Sequence, residues 1–317
     1  TQWSRQKERQ MHPLKGIALK ICSVITFITM ASLIKATAQH VPAGQAVFFR
    51  SVFALPVILA WLAVRGDLRT GLKAASPMGH FWRGFVGTAA MGLGFAGLGL
   101  LPLPEVTAIG YAAPLMTVIL AAMFLGEQVR LFRLGAVALG MVGVLIVLGP
   151  RLSAFSGDTV EKTAALGAML VLTGALCAAL AQIYIRKLVQ SEQTSAIVFY
   201  FSVTSASLSL LTLPFGWVLP TGQEAAFLIL AGLLGGMGQI FLTSAYRFAP
   251  ASVVAPFDYA SMLFAILIGM FFFNEIPDLR TIGGAALVIL AGVIIIWREH
   301  QLGLERGRAR RGMTPQG

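Results

Sequence analysis

Residues 101–127 read LPLPEVTAIGYAAPLMTVILAAMFLGE. The stretch is almost wholly apolar, yet Pro102 and Pro104 open it, Pro114 interrupts it, and Glu105 and Glu127 stand near its ends. An apolar run of about 20 residues has the length of a membrane-crossing helix. Proline removes a backbone donor and breaks such a helix unless its neighbours satisfy the freed carbonyl. The reading is a short, interrupted helix held inside a larger helical assembly.

The rest of the chain has the same character. Its 317 residues are 57% hydrophobic and 12% charged, with mean hydropathy +0.80; a soluble domain carries about 25% charged residues. Ten apolar segments follow one another, at about 16–38, 44–65, 79–100, 105–124, 131–149, 164–188, 194–216, 223–246, 251–273 and 279–297. They are continuous rather than alternating, which makes barrel strands a poor alternative. The first follows a basic tail, as a signal peptide would, but it is too long and lacks a small-residue cleavage site. The net charge of +11 does not indicate nucleic acid, because the basic residues sit in short clusters between apolar runs and in the tails. Cys22 and Cys177 have no second ligand at metal spacing, so neither a metal site, a cofactor nor a disulfide framework is expected.

Lys and Arg orient the spans. With ten spans both tails share a side, and that side collects 19 of the 24 basic residues, counting Lys20 and Arg83 with the segment ends. Lys35, Arg151, Lys162 and Arg280 fall opposite, and Arg50 alone is placed well inside a span. The excess predicts cytoplasmic tails at 1–15 and 299–317.

The opening stretch recurs. Shifted by 148 residues it falls on APASVVAPFDYASMLFAILIGMFFFNE, pairing Pro102 with Pro250, Tyr111 with Tyr259, Leu115 with Leu263 and Glu127 with Glu275. Gly84 and Gly87 pair likewise with Gly232 and Gly235, and an offset of 151 pairs Ser51-Val52 with Ser202-Val203. The expected fold is all-α and integral to the membrane: ten transmembrane helices as two five-helix repeats, 16–150 and 164–298, joined by a periplasmic linker at 151–163. Five is odd, so the second repeat enters the membrane inverted. That plan recurs in secondary transporters, with the site at the repeat interface.

The twofold pattern, the FFRSVFALP run at 48–56, the prolines opening the fourth segment, and the LGE and FNE ends at 125–127 and 273–275 resemble the drug/metabolite transporter superfamily, EamA type. The branch most similar is that of bacterial aromatic and neutral amino acid exporters. The resemblance implies ten helices around a central cavity, with the fourth and ninth working near its gates.

Candidate residues follow from polarity inside apolar segments. Arg50 either bonds carbonyls and snorkels outward, or holds a substrate carboxylate or closes a gate. Lys35, at a segment end, is expected to snorkel. Glu127 and Glu275 each end one run and begin the next, where a carboxylate caps the following helix or contacts a gate. Gln182 and Tyr184 lie on the sixth segment; Gln239, Thr243 and Tyr246 share one face of the eighth. Tyr111 lies on the fourth, and Asp258, Tyr259 and Ser261 on the ninth. Asp258 is the one acid placed well inside a span, about eight residues in. It bonds a neighbouring helix, or holds a substrate ammonium or a coupling proton, and dividing a zwitterion with Arg50 is a further option. Pro114 and Pro256 are the expected bends. The glycine run at 232–238 reads as close helix packing.

No HExxH, GxSxG or paired intramembrane aspartates occur, which disfavours an enzyme, and no selectivity filter marks a channel. Sparse deep basic residues disfavour polyanions. The expectation is an inner-membrane transporter of small metabolites, monomeric or homodimeric, exporting aromatic or neutral amino acids. Uptake of S-adenosylmethionine is the alternative, and a non-transporting scaffold or scramblase is the alternative of another class.

Overall fold

The computed structural model describes residues 13–66, 68, 71–125, 131–153, 159–188, 191–248 and 255–312. All regular structure among them is helical. The helices are α1 (Pro13–Thr37), α2 (Ala43–Val64), α3 (Pro77–Leu100), α4 (Leu103–Gly110), α5 (Ala112–Leu125), α6 (Leu131–Ser153), α7 (Thr159–Leu188), α8 (Thr194–Ser209), α9 (Gly222–Phe248), α10 (Ala260–Phe273) and α11 (Leu279–Gly312). Short 3-10 turns extend α8 over Leu210–Phe215 and precede α10 over Ala255–Tyr259. Among the described residues six stretches have the length and apolarity to cross a membrane: Leu14–Thr37, Ala43–Val64, Leu103–Phe124, Glu161–Ile185, Ser195–Phe215 and Gly222–Leu242. Leu134–Pro150, Phe257–Phe273 and Leu279–Ile295 are shorter apolar helices. The chain is therefore a multi-span membrane protein.

Within the expected linker, α6 runs on to Ser153 and α7 begins at Thr159. Helix α11 continues to Gly312, so the described part of the expected C-tail is helical.

Size sorts the residues radially. Ala108, Ala112, Ala121, Ala165, Ala168, Ala179, Ala265 and Ala291 are fully enclosed, while Phe85, Phe124, Phe271 and Phe272 are exposed. In lipid, apolarity does not drive helices together; close van der Waals approach does, and small residues permit it. The glycines show where. A Cβ on Gly143 would stand 2.6 Å from the Gly284 carbonyl oxygen, and one on Gly284 would stand 2.5 Å from that of Gly143, so α6 and α11 cross backbone to backbone. Gly232 and Gly236 press α9 onto Phe49, Phe53 and Ala54 of α2, the close packing expected of that run. Helix α9 also lies along α1, while α3 lies along α7 and α8.

The opening stretch is broken, as its prolines require, three residues ahead of Pro114. Helix α4 stops at Gly110, Tyr111 is a single-residue turn whose N–H is shared between the Thr107 and Ala108 carbonyls, and α5 starts at Ala112. Pro114 has no N–H for the Gly110 carbonyl and its ring crowds that carbonyl, so the break falls ahead of the proline. Pro114 itself faces outward.

Candidate functional site

Three polar clusters sit between helices from the two halves of the chain. The first surrounds the broken helix. Tyr111 and Tyr259, equivalent under the 148-residue offset, meet edge to face with ring centroids 5.2 Å apart. The Tyr111 hydroxyl lies 2.6 Å from Ser261 Oγ, which in turn donates to the Asp258 carbonyl at 2.7 Å. Gly292 of α11 makes room for Tyr259, whose hydroxyl fills the space a Cβ would occupy. The Asp258 carboxylate pairs with Lys20 Nζ of α1 at 2.6 Å. Lys20 is enclosed, whereas 47% of the Asp258 side chain is accessible. Asp258 does not lie eight residues into a continuous helix; it sits in the 3-10 turn that opens α10. Lys20, assigned to a segment end by its position in the chain, is an interior charge, and its partner is this acid. A lysine can be buried here because the opposite charge comes with it.

The second cluster closes one end of the bundle. Lys35 does not snorkel. Its ammonium pairs with Glu275 Oε1 at 2.9 Å and donates to the Leu98 and Leu101 carbonyls at 3.1 and 2.7 Å. Those carbonyls are left over at the C-terminus of α3. Glu275 Oε2 accepts the Leu103 N–H at 2.8 Å, at the start of α4. The expected capping of the following helix is thus corrected: Asp278 caps α11 by accepting the Thr281 N–H at 2.7 Å. The local cause is Asn274, which turns left-handed at φ 55° and lets the Glu275 N–H close on the Gly269 carbonyl. That turn carries Glu275 off the line of α11 and toward Lys35.

The third cluster is cationic. Arg50 of α2 is buried, as its position in the segment implied, and its guanidinium carbon lies 5.5 Å from the Phe201 ring centroid. Arg83 of α3 is equally buried and lies 3.7 Å from the same ring. Arg50 is therefore not the lone interior arginine. Each lies seven or eight residues from the start of its helix, and the two meet at Phe201, the residue equivalent to Arg50 under the 151-residue offset. Room comes from another equivalent pair: Gly235 lies against Arg50 Nε and Met30, and Gly87 lies against Arg83. Deeper toward the start of α3, buried His80 faces Glu192, Nε2 to Oε1 3.4 Å, and Glu192 accepts the Ala75 and Ser76 N–H groups.

Asp258 pairs with Lys20 of α1, whereas Arg50 meets Arg83 around Phe201, so the two charges belong to separate clusters. Gln182 is exposed and Gln239 half-buried. The Thr243, Tyr246 and Pro256 side chains and the whole of Glu127 lie outside the described residues. Sequence reasoning missed Lys20 and Arg83. Each is seven or eight residues inside its helix, a signal that counting from the segment ends overrides.

Helices of spanning length, small residues at their crossings, and paired charges and tyrosines between the two halves define a membrane transporter rather than an enzyme. The profile of the EamA-like transporter family matches residues 14–149 and again 165–298, and the chain belongs to that family. It is similar to an S-adenosylmethionine uptake transporter of Rickettsia prowazekii (strain Madrid E), 27% identical over 288 residues, covering 91% of this chain and 94% of the relative. It is also similar to the pseudopaline exporter CntI of Pseudomonas aeruginosa (strain UCBPP-PA14), 29% identical over 284 residues, covering 88% and 95%. A solved crystal structure of 20% identity superposes with a TM-score of 0.65 over 90% of this chain and 98% of its own, which shows the fold alone.

Proposed function

We propose that the protein is a secondary transporter of the bacterial inner membrane, with ten spans and cytoplasmic tails, that moves small amino acid-like metabolites by alternating access. Export of aromatic or neutral amino acids is the reading we adopt. The observation that carries it is the Tyr111–Tyr259–Ser261–Asp258 cluster. It places aromatic faces and a half-accessible carboxylate between the two halves of the chain, where an inverted-repeat carrier holds its substrate. Asp258 offers a counter-charge to an ammonium, with Lys20 as its resting partner. Glu275 and Lys35 serve as the gate at the end of the bundle that the charge pattern assigns to the periplasm, and Glu127 takes the corresponding place at the other end.

A second reading, uptake of S-adenosylmethionine, is favoured by similarity to the rickettsial carriers. That compound also carries an amino-carboxylate, joined to a cationic sulfonium. Purified protein in liposomes, given radiolabelled phenylalanine or S-adenosylmethionine with and without a pH gradient, separates the readings. Phenylalanine flux above protein-free liposomes is expected. Flux of S-adenosylmethionine alone supports the second reading, and flux of neither sinks transport of this class.

A further inference from the structure

Two of the charges inside this protein have no counter-charge beside them among the described residues. Lys20 has Asp258, Lys35 has Glu275, and Glu192 has His80 and two backbone N–H groups. Arg50 and Arg83 have no carboxylate within ion-pair distance among the described residues. Arg50 Nε, Arg83 Nε, Arg83 Nη1 and the adjacent Ser51 Oγ are all buried without a hydrogen-bond partner. Arg50 is 6% and Arg83 7% accessible. One aromatic ring serves both, and a ring face attracts a cation without neutralising it.

Two like charges brought together at the middle of a membrane bundle repel each other and forgo hydration. Leucine or methionine would fill the same space without that cost. Packing alone does not account for them, since Gly87 and Gly235 leave room that the guanidiniums take. What the arrangement lacks is an anion. A guanidinium presents a planar fork that matches a carboxylate, and two such forks on one ring make a donor set for one.

We propose that Arg50 and Arg83, with Phe201 as an aromatic floor, form a carboxylate-binding subsite separate from Asp258. The substrate, on the transporter reading given above, carries a carboxylate that docks there during its passage. The site is shared by α2, α3 and α8, so a bound carboxylate ties the two halves of the chain together at its level. It discriminates acids from their uncharged amides and takes flat, aromatic-bearing acids well.

The test uses the full chain in detergent, with sodium benzoate and benzamide as probes of matched shape and different charge. Calorimetric titration is expected to show saturable benzoate binding and benzamide binding at least ~10-fold weaker, the difference a charge-assisted hydrogen bond makes. Arg83→Gln is expected to weaken benzoate at least ~10-fold and abolish the discrimination. Arg83→Lys is expected to keep part of it. Arg50→Gln/Arg83→Gln is expected to unfold at or above the wild-type temperature, because it removes two unpaired charges. Equal binding of benzoate and benzamide by the wild type overturns the subsite. So does undiminished benzoate binding by the glutamine variants, or a markedly lower unfolding temperature in the double variant, which would make the pair structural. Phenylalanine flux in liposomes is measured in parallel. Benzoate discrimination without flux leaves the subsite standing and removes the transporter reading; normal flux in Arg50→Gln/Arg83→Gln removes the subsite alone.

Discussion

Gly292 and Gly283 stand nine residues apart on α11 and meet opposite surroundings. A Cβ at Gly292 would fall within the Tyr259 phenol, whereas one at Gly283 meets nothing within 4 Å. Gly292→Ala is therefore expected to destabilise by about 1–3 kcal/mol, the cost of overpacking. Gly283→Ala is expected to be neutral or to stabilise by about 0.5–1 kcal/mol, since glycine weakens a helix interior. Thermal unfolding in detergent compares them, and equal midpoints would mean that Tyr259 does not seat on α11. The Lys20–Asp258 pair makes a second test at this scale. Asp258→Asn removes the carboxylate that pairs with the enclosed Lys20 ammonium and is expected to lower both stability and transport, less than loss of a fully buried pair would because Asp258 is half accessible. Lys20→Met/Asp258→Asn restores neutrality, so stability is expected to return while transport stays low. Wild-type flux from that double variant would assign the pair to the scaffold. Asp258, Tyr111 and Tyr259 were legible in the sequence as polar residues amid apolar ones. Lys20 was not, because its place in the chain let it be counted with the basic tail.

Two elements carry the expected motion. Helices α4 and α5 are one span broken at Tyr111, and the break presents the Tyr111 hydroxyl to Ser261. Pro114→Ala gives the Gly110 carbonyl a donor and allows a continuous helix, which draws Tyr111 from that contact. Transport rate is expected to fall more than apparent affinity, read from initial rates against substrate concentration; equal kinetics would leave Pro114 shaping only the resting fold. The Lys35–Glu275 contact joins the ends of α1, α3 and α10 to the start of α4. Glu275→Gln can still accept the Leu103 N–H but leaves the Lys35 ammonium with carbonyls alone. We expect this end to open more often. A cysteine at Val106, in a background without Cys22 and Cys177, should then react faster with a membrane-impermeant maleimide. Unchanged labelling would make the contact a static clamp. Proline content made the break legible, but its exact register depended on which carbonyl the ring crowds. The Glu275 contact was not legible, because a left-handed Asn274 redirects a residue that the linear pattern assigned to the next helix.

At the scale of the whole molecule the two halves pack by exchange, α9 on α1 and α2, α3 on α7 and α8. Reporter fusions at Gly157 and at the C-terminus should report opposite sides of the membrane, and the same side for both would end the ten-span topology. Multi-span helical character, the family and the internal repeat were determined by the sequence alone. Helix length against bilayer thickness, apolar continuity and a fixed offset are properties of a linear string. The polar residues inside the spans were visible there too, since a charge in an apolar run stands out wherever the run folds. Only the tertiary structure decided their partners. Lys20 meets Asp258, Lys35 meets Glu275, and Arg50 and Arg83 meet on Phe201, in each case joining separate helices. Such contacts depend on where glycines let two backbones approach and on how far a long side chain reaches across the gap. Neither quantity is written in the spacing of residues along one helix.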